Sequence, residues 1–500
     1  VKHDTAQGSF LLNPLRKSRA LVDLAGVESL DDPRLAMAAL WAVYEQQKSA
    51  FAELPDLQQV AQTMDFPLIN VLAQMEFRGI KIDASKLEKM NKSLAQEIAA
   101  VQQNIYDMVG YEFNVASPAQ LASALFDKLL LPTVGIKKGK TGYSTNQKEL
   151  DKLRGQHPII ELVERFRELS KLQNTYVAAL PEQTDAKGYI HTTFNQDATA
   201  TGRLSSTNPN LQNIPIRTEL GRQIRDAFVP APGNVFVNAD YSQFELRLAA
   251  VMAGEKQMIE DFNTDVDIHA KTAAEVYNVP INEVTPTQRR RAKVVNFGVL
   301  YGMSQHGLAA AANMSYGEAQ HFIDEYYRIR PRIKEFMERT IRQAHEDGFV
   351  QTLFGRRRPT PDVRSNNFAV RSAAERAAAN MPIQGTEADL MKLAMLAVEK
   401  RLTTMTSPDL LPSETGKFEK NEFALPERQV SSGSKSISTD KNTLLGYQIL
   451  QIHDSIMVEC PRQNAEIVSK MLVETMENIY PQLGIKLKVD VKIGNNWGEV

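Results

Sequence analysis

The chain is poor in the features that announce most protein classes. It has one cysteine, Cys460, in 500 residues. That excludes an internal disulfide framework and any zinc site built from several thiolates, and points to a reducing intracellular setting. No apolar run approaches the roughly 18–20 residues of a membrane helix, so no membrane partner is expected. No charged-then-apolar leader opens the chain, which begins on Val1 rather than Met, as a piece of something longer would. Neither charge dominates: 58 Lys+Arg against 60 Asp+Glu leave −2, so a polyanionic partner would have to be met by local clusters. What remains is ordinary globular composition, 43% hydrophobic and 24% charged, at a length that predicts two to four packed units. No internal repeat is present.

Three basic clusters stand out: Lys137-Lys138-Gly139-Lys140, Arg289-Arg290-Arg291 and Arg356-Arg357-Arg358. Alone, each reads as a solvated helix face. The stretch from Gly135 to Thr141 imitates a phosphate-cradling loop, but it has three residues between its glycines where that motif needs four, and no buried strand precedes it. It stays either a basic contact for a polyanion or a solvated turn. Apolar periodicity predicts helices over 35–51, 85–108, 117–129 and 158–180. Another, starting at Phe66, stops at Arg78-Gly79 and gives way to a short strand. Residues 189–215 are polar and unstriped, with many amides and hydroxyls around Arg203. They suit contacts to sugar, base edge and phosphate, or simply a hydrogen-bonded loop. Residues 255–375 read as mostly helical, and 403–446, rich in Ser, Thr, Lys, Glu and Pro, as a mobile insertion.

The chemistry gathers elsewhere. Val235, Val237 and Ala239 alternate with Phe236, Asn238 and Asp240 as in a half-buried strand, and a helical pattern follows at once. An Asp at such a strand end caps the next helix or, held by rigid backbone, offers oxygen to a hard divalent cation. A second carboxylate decides which. Residues 445–460 supply one, as two β-rich runs flanking His453-Asp454-Ser455 read as a hairpin presenting Asp454. Two such carboxylates can hold a metal pair for phosphoryl transfer. Between them in sequence, Arg289, Lys293, Phe297 and Tyr301 recur every four residues, so on a helix they form one stripe. Two cations followed by two aromatics can grip a triphosphate and stack on sugar and base.

These three stretches resemble motifs A, B and C of the family A DNA polymerases, the bacterial DNA polymerase I type: Asp240-Tyr-Ser-Gln-Phe-Glu-Leu-Arg247, Arg289-x-x-x-Lys293-x-x-x-Phe297-Gly-x-x-Tyr301-Gly, and the hairpin His453-Asp454. Residues 199–206 and 210–215 resemble the family's primer-template segment, and 375–386 another; the similarity covers about residues 60–500. It implies an α+β right-hand polymerase fold, with an antiparallel-sheet palm, helical thumb and fingers, and a remnant of a 3′–5′ exonuclease-like domain. Residues 1–60 would be that remnant and 61–500 the polymerase. Within the polymerase, 97–180 would be mainly thumb, 255–375 mainly fingers, and 61–96, 181–254 and 376–500 mainly palm. The resemblance further implies template-directed addition of dNTPs to a primer 3′-OH by a monomer acting in replication and repair, cytoplasmic and nucleoid-associated if bacterial, with an organellar or phage origin left open. Its cofactor would be two Mg²⁺ ions, with Mn²⁺ as a substitute, ligated by Asp240, Asp454 and the Tyr241 carbonyl. Arg289 and the catalytic Lys293 would grip the triphosphate, with Gln243 and His269 nearby, Phe297 against the sugar and Tyr301 at the insertion site. Glu245 would exclude a ribose 2′-hydroxyl. Arg203, Asn210, Gln212, Asn213, Arg376, Asn380, Gln384 and His453 would follow primer-template DNA.

Two departures qualify the resemblance. Ser455 stands where the family has Glu after the motif C Asp. His-Asp-Ser is what single-subunit RNA polymerases carry, which keeps an RNA polymerase as the runner-up, beside a catalytically silent DNA-binding homologue. Glu245 and Phe297 keep deoxynucleotides as the expected substrate. At the other end, 9–21 resemble the tail of the exonuclease domain without its metal-binding carboxylates, so no proofreading is expected, and no 5′-nuclease domain is expected either.

Overall fold

The structure, a computed structural model, describes residues 1–140, 142–216, 218–404 and 444–500. Four strands form its main sheet: β1 (Asn234–Tyr241), β2 (Tyr447–Ile452), β3 (Ser455–Pro461) and β4 (Val489–Gly494), all antiparallel in the order β2-β3-β1-β4. The simple alternation expected of β1 breaks at Phe236, which is as buried as Val235 and Val237. Successive strand residues face opposite sides, so both faces of the sheet are covered at this end. Towards Asp240 the strand opens to solvent, and there the functional side chains begin.

Eight helices matter for the site. Helices α1 (Ala84–Val109) and α2 (Ile159–Leu172) pack on each other as an arm whose buried side is continuous with the core of the sheet. Helix α3 (Phe244–Ala253) leaves β1 directly; α4 (Ile268–Tyr277), α5 (Pro286–Leu300) and α6 (Pro331–Asp347) follow. Helix α7 (Phe368–Thr404) runs behind the sheet with Pro382 inside it, and α8 (Ala465–Glu477) packs along β1 and β4. The arm's amphipathic pattern holds: Leu87, Leu94, Val101 and Ile105 are buried along one side of α1. Helix α3 is not amphipathic, since every residue from Phe244 to Ala250 is buried, Glu245 and Arg247 included.

Several sequence divisions fall inside elements. Helix α1 runs through 96/97 and α7 through 375/376, while a hydrophobic core from Phe10 and Leu11 to Met64 and Phe66 spans 60/61. The helix begun at Ser117 changes to a π-turn at Ser123–Lys128, which apolar spacing cannot distinguish from α. The insertion assigned to 403–446 starts two residues early, because α7 continues through Thr404; its residues 405–443 lie outside the described ones.

The cluster at Arg356 is corrected outright. It is no solvated helix face: Arg356 is 2% exposed and Arg357–Pro359 is a strand. The Arg356 guanidinium makes a two-pronged bond to Asp65 (2.6 and 3.0 Å) and a third to Asp389 (2.7 Å), while Lys392 reaches Asp65 at 2.8 Å. Asp65 closes a single π-turn, Ala61–Asp65, and Gln7 donates to it as well. One buried ionic knot thus joins the N-terminal segment to α7.

Candidate active site

Adjacent strands and a tight turn create the centre of the site. On β3, Ser455 lies opposite Asp240 of β1, and the Tyr241 amide donates to the Asp454 carbonyl at 3.1 Å. The β2–β3 hairpin turns through His453 in a left-handed conformation, φ +52°, which sets the Asp454 carboxyl beside that of Asp240, close enough that each shifts the ionisation of the other. Burial comes first and the neighbouring carboxylates second in raising Asp240 to about 7. Asp454 is also raised, chiefly by burial. Two carboxylates this close cannot both ionise without a cation between them. Asp490 on β4, in register with Asp240, adds to the repulsion; nothing in the sequence pattern singled it out.

Asp240 does not cap the next helix. That position belongs to Gln243, also left-handed at φ +56° and making no side-chain cap bond. Two non-glycine residues in this costly region flank the carboxylate pair, the kind of local strain that collects at functional sites.

The donor set suits a divalent cation. Asp240, Asp454 and the Tyr241 carbonyl offer only hard oxygen. Among the described residues no three His, Cys, Asp or Glu side chains form a ready cage. A Mg²⁺-like ion is held in that way, by one or two carboxylates with water and substrate phosphate completing its shell.

Helix α5 starts on a capping box between Thr285 and Gln288, with Pro286 in its first turn. The expected stripe forms. Arg289 and Lys293 are exposed, Phe297 and Tyr301 half-buried, with Tyr301 just past the last turn. Arg289 Nε bonds Asp267 at 2.7 Å. His269 is buried, its Nδ1 beside the Asn296 amide at 2.9 Å and its ring 5.9 Å from that of Phe297. Burial above all, with the charges of Arg289 and Lys293, pushes its imidazole down to about 4 against the pull of Asp267. It is therefore neutral at pH 7, and the Asn296 contact assigns Nδ1 as acceptor and leaves the proton on Nε2.

A second knot joins α3, α5 and α7. Arg203 Nη2 meets Glu245 at 2.5 Å and Glu387 at 2.6 Å, and the Tyr301 hydroxyl donates to the other oxygen of Glu245. Arg203, expected along DNA, is held by two carboxylates. Glu387 escaped the sequence reading. Only the fold marks it: Glu387 is 2% exposed, in a stretch of α7 buried from Gly385 to Leu390.

The remaining residues expected along DNA are more dispersed. Gln212 ties its loop to β2 by donating to the Gln451 carbonyl at 3.1 Å, Asn210 accepts from Ser206 at 3.3 Å, and Asn213 and His453 are exposed. Arg376, Asn380 and Gln384 stand four apart on α7, one stripe; Arg376 bonds Ser372, and the side-chain amide oxygen Oδ1 of Asn380 is buried without a partner among the described residues.

The profile of DNA polymerase family A matches residues 84–499. DNA polymerase I of Bacillus caldotenax is 42% identical over 479 residues, covering 93% of this chain and 50% of the relative. The thermostable DNA polymerase I of Thermus aquaticus is 42% identical over 433 residues, covering 86% and 47%. The chain thus spans about half the length of these relatives. The polymerase domain of Pol1 from M. smegmatis, solved with primer-template DNA and dNTP, superposes with a TM-score of 0.86 at 35% identity, covering 100% of this chain and 82% of that one. The right-hand fold expected from the three motifs is thereby established, and the chain belongs to DNA polymerase family A.

Proposed function

We propose that this chain copies a DNA template by adding deoxynucleotides to a primer 3′-OH. The observation that carries the reading is the Asp240–Asp454 carboxyl pair at the open end of the β2-β3-β1-β4 sheet. Two raised carboxylates in contact form a poor structural feature and a good cation site. Asp240, Asp454 and the Tyr241 carbonyl would hold two Mg²⁺ ions, with Mn²⁺ able to substitute. Such a pair lowers the barrier at both the attacking and leaving oxygens of phosphoryl transfer.

The chain's own side chains do the rest by positioning. Lys293 and Arg289 neutralise the triphosphate, and Lys293 supplies charge where it develops on the leaving diphosphate. Neutral His269 offers Nε2–H as a donor to a phosphate oxygen, and Gln243 lines the same end. Phe297 lies against the sugar and Tyr301 against the base, while Glu245 fills the space a 2′-hydroxyl needs. Asn210, Gln212, Asn213, Arg376, Asn380, Gln384 and His453 follow the duplex by its backbone and groove, since a copying enzyme reads every sequence. Arg203 acts from beneath, through Glu245. In this hand α2 and the second half of α1 belong to the thumb (97–180), 255–375 to the fingers, and the sheet with α7 from residue 376 onward to the palm. The protein works as a monomer in the cytoplasm.

Primer extension tests the reading: dNTPs with Mg²⁺ are consumed on a primer-template, and NTPs are not. Extension with NTPs as fast as with dNTPs would support the RNA polymerase alternative and overturn the role of Glu245.

A further inference from the structure

One cation in this site serves two carboxylates. Arg203 Nη2 sits 2.5 Å from Glu245 and 2.6 Å from Glu387, and Arg203 Nε is buried with no partner. The guanidinium is therefore not committed as a two-pronged clamp to either acid, although such a clamp is its strongest arrangement. Glu245 in turn accepts from Tyr301 with its second oxygen. A continuous chain runs from α7 to α5: Glu387, Arg203, Glu245, Tyr301.

We infer that Glu387 is a positioning residue, which holds Arg203 back from Glu245 and thereby sets how firmly Glu245 retains Tyr301 at the nucleotide insertion site. This deepens the proposed polymerase reading and rests on it. With Glu387 present, Glu245 shares Arg203 and keeps negative charge for the Tyr301 hydroxyl. With that carboxylate removed, Arg203 turns wholly to Glu245, the Tyr301 bond weakens, and the gate against the 2′-hydroxyl loosens.

The groups facing Glu387 are Arg203 from the 196–204 loop, Glu245 from α3 and Asp454 from the hairpin, with His453 and, through Glu245, Tyr301 beyond. On its own helix Lys392 is engaged with Asp65 instead. Burial first, and the repulsion of Glu245 and Asp454 against the pull of Arg203, push Glu387 up to about 8.

The test compares the wild-type chain with Glu387→Gln and Glu387→Asp, measuring dNTP KM, kcat and the dNTP/NTP selectivity. We expect Glu387→Gln to lose selectivity several-fold and to change KM more than kcat. Glu387→Asp restores part of both. Unchanged selectivity and KM in Glu387→Gln would overturn the inference. Thermal unfolding judges the geometry without any turnover. Glu387→Gln and Arg203→Gln should be non-additive, and additive effects would contradict the shared contact even in a chain that extends no primer. Failure of the wild-type chain to extend any primer counts against the polymerase reading instead.

Discussion

Asp240 is where physical chemistry speaks most directly. Its carboxyl is raised to about 7 by burial and by Asp454, so the metal-free fold favours the protonated form. A raised carboxyl contributes stability that is full below its unfolded pKa, near 4, and is lost as pH rises through about 7. The metal-free chain should therefore lose thermal stability from pH 5 to 8. Asp240→Asn should flatten that loss and melt no lower than wild type at pH 8, whereas a lower melting point for Asp240→Asn at pH 8 would contradict the shared-proton picture. Ser455 belongs to the same scale. Its hydroxyl donates to the Ile452 carbonyl within the hairpin tip, at 3.0 Å, and this bond closes the turn without reaching the carboxylates. Ser455→Glu should change the primer-extension rate by less than about an order of magnitude, a difference of roughly 1.4 kcal/mol in the barrier. A change of several orders would give the side chain a direct part in the chemistry.

At the scale of elements, α5 depends on its first turn. Thr285 and Gln288 satisfy orphan amides reciprocally, so Thr285→Ala should cost about 1 kcal/mol of stability. It should also raise dNTP KM by misaligning Arg289 and Lys293, while an unchanged KM would separate the cap from the site. The stripe on α5 was legible in the sequence because a four-residue spacing dictates which side chains share a helix face. The β2–β3 hairpin was legible because two β-rich runs enclose a polar tip. Contacts between elements were not. Arg203, Glu245 and Glu387 are distant in sequence and meet only through packing, so no spacing rule joins them. Asp490 reaches Asp240 only through the register of β4 against β1. Asp240 misses the cap position because it is still paired in the sheet, opposite Ser455 and Asp490, and the helix starts only at Phe244, with Gln243 before it; alternation of apolar residues cannot encode where that ladder ends.

For the whole molecule, the sheet carries the site and a buried ionic knot holds the sheet's support to the N-terminal segment. Arg356 balances Asp65 and Asp389, and against the cost of burial the charges and hydrogen bonds of Arg356 and Lys392 hold the Asp65 carboxyl well below its usual range. Removing one partner of a buried set strands the others, at about 3–5 kcal/mol. Arg356→Ala should lower stability by that much in chemical denaturation, and Arg357→Ala by far less. Equal effects would mean that burial of Arg356 does not matter. The sequence showed three consecutive arginines and no sign of which one the fold would swallow, because that depends on Asp65 arriving from nearly 300 positions away.

The central claim is that Asp240 and Asp454 hold the catalytic cations of a DNA-copying enzyme. Primer extension with Mg²⁺ and dNTPs, run beside folded Asp240→Ala and Asp454→Ala, tests it most directly. The prediction is extension by the wild-type chain and a loss of at least several orders of magnitude in both variants. Extension that survives both substitutions would contradict it.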